Sequence, residues 1–445
     1  MKLFIGLTLT VLTAVICFPG SGRSAVDFSI EMDKPVVYFA GGDRVTLKIA
    51  LDADEAPSGV LRPPLNLALV LDKSGSMGGR KILDARQAAI EVVKRLSPRD
   101  TFSLVVFDTE PRVLIPAHRL IDPAAAISII RGIGSGGSTA LYGGLNLGAS
   151  EIRKGEGGGA IPRIVLLSDG LANVGPRSAA DLSRLGRALA GEGITVTTVG
   201  LGLDYNEDLM TALASASDGN CYFARESREL PRIFAEELGD ATTLAARDLT
   251  VRIEFPENVT PISILGRTGR VEGQAVEVKL NNLYSSGEKY VLVEAEVAAG
   301  KPGRKISLAR VNLDYDDLYA GGRRQGAKSV SIRYSDKPEE VEANLNSKVI
   351  KVTTLTKVSE AKEKAVELAD RGDYRAAAAV MAANQSRIED AVTVCGAAPE
   401  LVAEEERCRE YKVTIESDKG LCRHSRKRIM NEAYIQLNQQ RYESR

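Results

Sequence analysis

The sequence predicts an α/β protein: a doubly wound, mostly parallel sheet inserted in a β-sandwich and followed by a helical C-terminal region. Three observations predict it. First, Leu65-Asn66-Leu67-Ala68-Leu69-Val70-Leu71 runs almost unbroken in apolar residues into Asp72-Lys73-Ser74-Gly75-Ser76-Met77, and Ile164-Val165-Leu166-Leu167 runs into Ser168-Asp169-Gly170. Such runs, bounded by turn residues, read as strands buried on both faces of a parallel sheet. Second, the segments on either side alternate apolar and polar residues, the pattern of half-buried strands. Third, from about residue 345 the apolar residues fall at helical spacing.

Residues 1–22 read as a signal peptide. Met1-Lys2 precedes the apolar run Leu3 to Phe18, and Pro19-Gly20-Ser21-Gly22 supplies small residues for cleavage. The run is short for a bilayer span, and no other window is apolar enough for one. A lipoprotein signal fits poorly, because Ile16 stands before Cys17 where a small residue is wanted. The expectation is an exported protein, periplasmic or extracellular, without a membrane span.

Residues 26–60 supply N-terminal strands: Val26 to Met32, Val36 to Phe39 and Val45 to Leu51, with a Pro/Gly-bearing linker from Asp54 to Pro64. Two or three strands cannot bury a core alone. The strands of residues 249–335, with turns at Ser285-Ser286-Gly287 and Gly300-Lys301-Pro302-Gly303, offer them partners as the remainder of the sandwich. Between the two lies the segment 64–243, where strands alternate with helices and imply a sheet covered on both faces. Its helices are expected at Ile82 to Leu96, Pro123 to Arg131, Leu141 to Ile152, Ala179 to Leu189, Asn206 to Ala216 and after Pro231. Thr101 to Phe107, Thr195 to Val199 and Cys221 to Phe223 are further strands, with Arg112 to Ile115 a short edge strand. Residues 345–445 form the helical C-terminal region. Within it Ala365 to Ala377 resembles one helix-turn-helix unit of a tetratricopeptide repeat, and a lone copy reads as a helical hairpin.

Composition narrows function. The chain has 445 residues, a formal charge of −1 and 44% hydrophobic residues. That is enough for two or three cores, with no charge drawing the whole molecule to nucleic acid or an anionic membrane. The only histidines are His118 and His424, and no HExxH occurs, so a zinc-protease or histidine-based catalytic site has little to build on. Gly132-Ile133-Gly134-Ser135-Gly136-Gly137 follows a helical pattern instead of a strand, which argues against a dinucleotide loop. Cys221 opens a buried strand and is expected as a free thiol, whereas one disulfide is expected among Cys395, Cys408 and Cys422 in an exported chain. The basic run Arg423-His424-Ser425-Arg426-Lys427-Arg428 is expected to be a solvated helix face balanced by Glu404-Glu405-Glu406.

The chemistry lies at the strand ends. In open α/β sheets, ligands bind beyond the carboxyl ends of the strands. Asp72, Ser74 and Ser76 there form a hard, all-oxygen set that suits Mg²⁺ or Mn²⁺ better than zinc. Alone, the same serines could simply cap the next helix. Thr139, in Gly137-Ser138-Thr139-Ala140-Leu141, and Asp169 supply two more loops of the same kind.

Together, Asp72, Ser74, Ser76, Thr139 and Asp169 resemble the metal-ion-dependent adhesion site of the von Willebrand factor type A (VWA) domain, as in integrin I domains. The resemblance covers about 180 residues, near the size of one domain. It implies a VWA, Rossmann-like fold. It also implies that the serines and the threonine touch Mg²⁺ (or Mn²⁺ or Ca²⁺) while the aspartates often act through water. An open position would remain for an Asp or Glu of a protein partner. Lys73 departs from the small or apolar residue commoner at its place and is expected to point to solvent. The chain is also similar to exported bacterial VWA proteins described as calcium-activated-chloride-channel-like, which implies no pore here. The expected function is non-enzymatic: metal-dependent protein binding, as an adhesion or scaffold protein of the cell envelope. The alternative is a structural envelope protein in which the metal only stabilises the VWA loops.

Overall fold

The computed structural model describes residues 24–57, 63–155, 159–202, 205–224, 229–238, 244–417 and 421–439. The expected signal peptide, residues 1–22 with Cys17, lies outside the described residues.

Three strands come first: β1 (Val26–Met32), β2 (Val36–Tyr38) and β3 (Asp43–Ala53). The alternation follows as β4 (Leu65–Asp72), α1 (Arg80–Arg95), β5 (Thr101–Phe107), β6 (Pro111–Arg119), α2 (Pro123–Arg131) and α3 (Leu141–Lys154). It continues with β7 (Ile161–Ser168), α4 (Ala179–Gly191), β8 (Thr195–Leu201), α5 (Glu207–Ala216), β9 (Cys221–Ala224) and α6 (Leu230–Leu238). These strands form one sheet in the order β6-β5-β4-β7-β8-β9, parallel except for the edge strand β6. Every residue of β4 is buried. Leu65, Leu67, Leu69 and Leu71 join the core on one face of the sheet, while Ala68 and Val70 join the core on the other. That two-sided burial is why the run carries apolar residues without alternation. Helix α3 lies unusually close to the sheet. A Cβ on Gly144 would stand 2.6 Å from the Phe107 ring, and one on Gly148 2.6 Å from the Val70 side chain. The close approach fixes the start of α3, and with it the Thr139 loop, over the ends of β4 and β5.

The second strand-rich region comprises β10 (Leu244–Glu254), β11 (Val259–Leu265), β12 (Arg270–Glu272), β13 (Ala275–Tyr284), β14 (Glu288–Val297), β15 (Lys305–Asp317) and β16 (Arg323–Ser335). With the N-terminal strands they make a four-stranded sheet, β1-β3-β14-β11, and a six-stranded sheet, β12-β13-β10-β15-β16-β2. The N-terminal strand β3 pairs antiparallel with β14 from Asp43↔Val297 to Asp52↔Glu288, and β2 pairs parallel with β16. Val45, Leu47 and Ile49 of one sheet share a buried core with Val251, Ile253, Val311 and Leu313 of the other. Strands β11 and β12 escape sequence reading for physical reasons. The first carries Pro261, which is tolerated because β11 is an edge strand with a register slip beside it. The second is a three-residue edge strand with every residue exposed.

The tail holds α7 (Pro338–Ala343), α8 (Ser347–Asp370), α9 (Tyr374–Cys395), α10 (Pro399–Ser417) and α11 (Arg423–Leu437). Helices α8 and α9 form the expected hairpin, turning at Gly372, but α10 extends it and α11 returns against α8 and α5. Among the described residues, no helix is long and apolar enough to cross a membrane.

Two tail expectations are corrected. Cys395, Cys408 and Cys422 form no disulfide. The Cys395 thiol lies 3.2 Å from the Ser347 carbonyl, Cys408 is buried in α10, and Cys422 caps α11. The basic run is not a solvated face either. Arg426 meets Glu207 Oε1 at 2.5 Å and both Asp208 Oδ2 and Asp370 Oδ2 at 2.7 Å. Lys427 is buried against Glu207 Oε2 at 2.7 Å. The acids that hold Arg426 and Lys427 belong to α5 and α8, while Arg428 turns to Glu410 and Glu432.

Candidate metal centre

The strand order reverses between β4 and β7: β5 lies to one side of this pair and β8 to the other. This is a topological switch point, where the loops leaving the two central strands part and open a crevice. Asp72 ends β4 and Asp169 follows β7, so the two carboxylates face the same crevice, both fully buried.

The donors form a continuous chain. Asp72 Oδ1 accepts from the Ser74 amide at 2.9 Å, and Asp72 Oδ2 accepts from the Ser168 hydroxyl at 2.5 Å. The Ser74 and Ser76 hydroxyls lie 3.1 Å apart, and Ser76 Oγ donates to Asp169 Oδ1 at 3.2 Å. Lys81 Nζ reaches Asp169 Oδ2 at 3.0 Å. Burial pushes the Asp72 carboxyl up to about 6, against the bonds from Ser168 and Ser74, and the Asp169 charge adds to the rise. The capping alternative finds no support: Gly79 caps α1, and the one-turn helix Gly75–Met77 has no side-chain cap bond from Ser74.

Thr139 is brought in through the backbone. The Gly75 amide donates to the Gly137 carbonyl at 2.9 Å, and the Gly136 amide to the Lys73 carbonyl at 2.7 Å. The Asn173 and Val174 amides donate to the Thr139 carbonyl at 3.1 and 3.2 Å, and Asn173 Oδ1 accepts from the Thr139 amide at 2.7 Å. Gly136 and Gly137, at the end of the glycine-rich stretch, therefore tie the Asp72–Ser76 loop to the Thr139 loop. Thr139 itself is buried, and among the described hydrogen bonds its hydroxyl makes none to the other four site residues.

Sequence reasoning misplaced Lys73 and missed three residues. The Lys73 ammonium pairs with Asp108, beside the crevice, instead of running out into solvent. Ser168, Asn173 and Lys81 were not foreseen. Ser168 could have been suspected from its place beside Asp169. Lys81 stands at the start of α1, where a helix disfavours a cation, so its acid partner had to be sought elsewhere. His118 and His424 are exposed. Among the described residues no three His, Cys, Asp or Glu side chains converge on one point. The crevice offers two carboxylates and hydroxyls, an oxygen set that fits Mg²⁺, Mn²⁺ or Ca²⁺ and not zinc.

Residues 66–236 match the family model of the von Willebrand factor type A domain. An uncharacterised protein of Synechocystis sp. is 27% identical over 288 residues, covering 62% of this chain and 67% of that one. Human inter-alpha-trypsin inhibitor heavy chain H4 is 30% identical over 216 residues, covering 46% of this chain and 22% of its own. The chain therefore spans well under half the length of the human relative. Among solved structures, a von Willebrand factor type A protein from Catenulispora acidiphila superposes with a TM-score of 0.70 at 18% identity, over 93% of this chain and 98% of that one. The ArnB paralog VWA2 of Sulfolobus acidocaldarius does so with a TM-score of 0.63, also at 18% identity, over the same shares. At that identity the likeness speaks for the fold, and it reaches well beyond the matched domain.

Proposed function

We propose that this chain, which carries a VWA domain at residues 66–236, binds a divalent cation in the switch-point crevice and uses it to hold an Asp or Glu of a protein partner. VWA domains commonly mediate protein–protein interaction and adhesion. Asp72, Ser74, Ser76, Thr139 and Asp169 would hold the ion, and Mg²⁺, Mn²⁺ and Ca²⁺ all suit the donor set. The bound ion would supply a positive charge with an open position for a carboxylate. The chain's own residues supply the rest: Ser168 and the Ser74 amide orient Asp72, and Leu171, exposed beside Asp169, offers apolar contact to an incoming partner.

The observation that carries the reading is the linked chain from Asp72 through Ser74 and Ser76 to Asp169, with two fully buried carboxylates and one ammonium among them. Buried carboxylates in excess of their counter-charges form a site that favours a cation. The alternative, a metal that only orders the loops, is less well supported. The loops are already stitched to one another by backbone hydrogen bonds at Gly75, Gly136 and Asn173. We also read the strand pairings β3–β14 and β2–β16 as a β-sandwich interrupted by the VWA domain. We place the protein outside the cytoplasm, as the N-terminal sequence suggests, acting without bond-making chemistry.

Calorimetric titration with Mg²⁺, Mn²⁺ and Ca²⁺ tests the site, and capture of envelope proteins with and without chelator tests its use. Metal binding by the wild type that is lost in Asp72→Ala supports the reading. Equal titrations in both proteins, or none in either, overturn it. Thr139→Ala should keep most metal affinity and lose the partner.

A further inference from the structure

Lys81 is the second residue of α1, and the first turn of that helix holds two cations and no acid. A helix N-terminus disfavours positive charge. Arg80 offsets its share locally with Asp84, four residues on. Lys81 instead reaches back to Asp169, with Nζ 3.0 Å from Oδ2, its side chain 20% exposed and that of Asp169 0%. The path of its stem is built into the fold. Gly202, just beyond β8, has φ +78°, and a Cβ there would stand 2.9 Å from Lys81 Cε. A larger residue at 202 would force the end of the Lys81 side chain to shift. The other oxygen of Asp169 accepts from Ser76 Oγ at 3.2 Å and the Leu171 amide at 3.3 Å, so both oxygens are engaged.

We propose that Lys81 is an internal cation that holds Asp169 while no metal is bound and must yield that carboxylate when a divalent ion enters. The inference rests on the metal-site reading above. A unit charge 3.0 Å from Asp169 Oδ2 both satisfies the carboxylate and repels a second cation approaching it. Lys81 can yield because its stem is flexible and its side chain is 20% exposed, close enough to solvent for the ammonium to swing out. The device weakens metal affinity and, in return, spares the metal-free crevice the repulsion between Asp72 and Asp169. It makes partner capture respond to the concentration of free metal rather than remain permanently switched on.

This assignment has a signature that a merely structural lysine lacks. In the full chain, Lys81→Met should bind Mg²⁺ about tenfold or more tightly than wild type. In chelator the same variant should melt below wild type, and metal should raise its melting temperature by more. Lys81→Arg keeps the charge and should titrate near wild type. Lys81→Gln serves as a second neutral variant if Lys81→Met fails to fold. If Lys81 only braced the loop, the neutral variants would lose melting temperature and metal affinity together, and that result overturns the inference. Unchanged affinity in a folded neutral variant overturns it equally. The two readings fail separately: wild-type titration with no tightening in the neutral variants removes only the role of Lys81, whereas no titration in wild type or neutral variants removes the metal site itself.

Discussion

Carboxylates are gathered at two places in this molecule, and they are balanced in opposite ways. In the seam between α5, α8 and α11, Glu207 meets both Arg426 and Lys427, while Asp208 and Asp370 share the same Arg426 guanidinium. In the crevice, Asp72 is more deeply buried than either aspartate of the seam, yet the bonds that hold it come from an amide and a hydroxyl. One lysine serves Asp169. The consequence shows in the titration of the groups. Burial lifts Asp72 to about 6, whereas the acids around it lift Arg426 well above the ordinary range of a guanidinium against the opposing effect of burial. Where the chain supplies its own cations, buried acids act as a clasp between segments distant in sequence. Where it supplies a single lysine for two buried carboxylates, the acids are left in excess of their counter-charges, which is the ground for the proposal that a cation enters from outside.

Glu207→Ala is the strongest way to break the contrast. It leaves Lys427 buried with no carboxylate among its described partners, held by the Tyr205 carbonyl and the face of the Tyr205 ring, and removes one partner of Arg426. Breaking a buried pair from one side typically costs about 3–5 kcal/mol, and the remaining partners of Arg426 favour the lower end. Denaturant unfolding should show the loss, while Mg²⁺ titration of the folded protein stays at the wild-type value. A large change in metal affinity would mean that the clasp and the crevice are coupled, a link that Asn206 could provide, since its amide donates to the Asp169 carbonyl at 2.8 Å.

The converse substitution is Asp72→Ala. Metal affinity should fall by about 10- to 100-fold, while stability at pH 7 changes by about 1 kcal/mol or less, because the carboxylate lost had no cation to leave behind. A stability loss as large as that of Glu207→Ala would make Asp72 a structural acid. Ser168→Ala is subtler. It removes the 2.5 Å bond to Asp72 Oδ2, and also the bond that Ser168 Oγ accepts from the Gly170 amide at 2.8 Å, which costs the same at every pH; the Asp72 bond should add about 1–2 kcal/mol at pH 7. The cost should shrink near pH 4.5, where the protonated carboxyl needs the bond less. Melting temperatures of both proteins across pH decide it: the part of the loss that persists at pH 4.5 belongs to the Gly170 bond, and a loss that does not grow between pH 4.5 and 7 counts against the charge of Asp72 as a cause.

The comparison also explains what sequence could reveal. Strands β4 and β7 were legible because both of their faces are buried, which leaves an apolar run followed at once by the site residues. Asp72, Ser74 and Ser76 sit two apart in one loop, so their meeting is a local fact. Lys81 and Asp169 are 88 residues apart, and Lys427 and Glu207 are 220 apart. Neither pair leaves a periodicity in the sequence; each depends on how the sheet order and the tail bring distant helices together. The basic run 423–428 therefore looked like a solvated face, when half of it faces acids that only the fold supplies. The expected disulfide failed for the same reason. Nearness in sequence among Cys395, Cys408 and Cys422 is undone by their places at the end of α9, within α10 and at the cap of α11.

The smallest effect concerns an acid at the seam that the clasp leaves over. Glu363 lies on α8, and burial, with the charges of Glu360, Glu367 and Asp208, lifts its carboxyl to about 7. The unfolded chain releases this proton near pH 4.5, the ordinary value, while the folded chain keeps it to about 7. Between those two values the folded state holds the extra proton, so stability falls as pH rises through the window and levels off above it. Glu363→Gln keeps the shape and removes the charge. It should match wild type below pH 4.5 and exceed it by about 1 kcal/mol at pH 8, allowing for partial solvent screening. Unfolding free energies at the two pH values measure it. A gain present at both would trace to packing, and no gain at pH 8 would mean that Arg426 and Lys427 already neutralise this acid along with the three they hold.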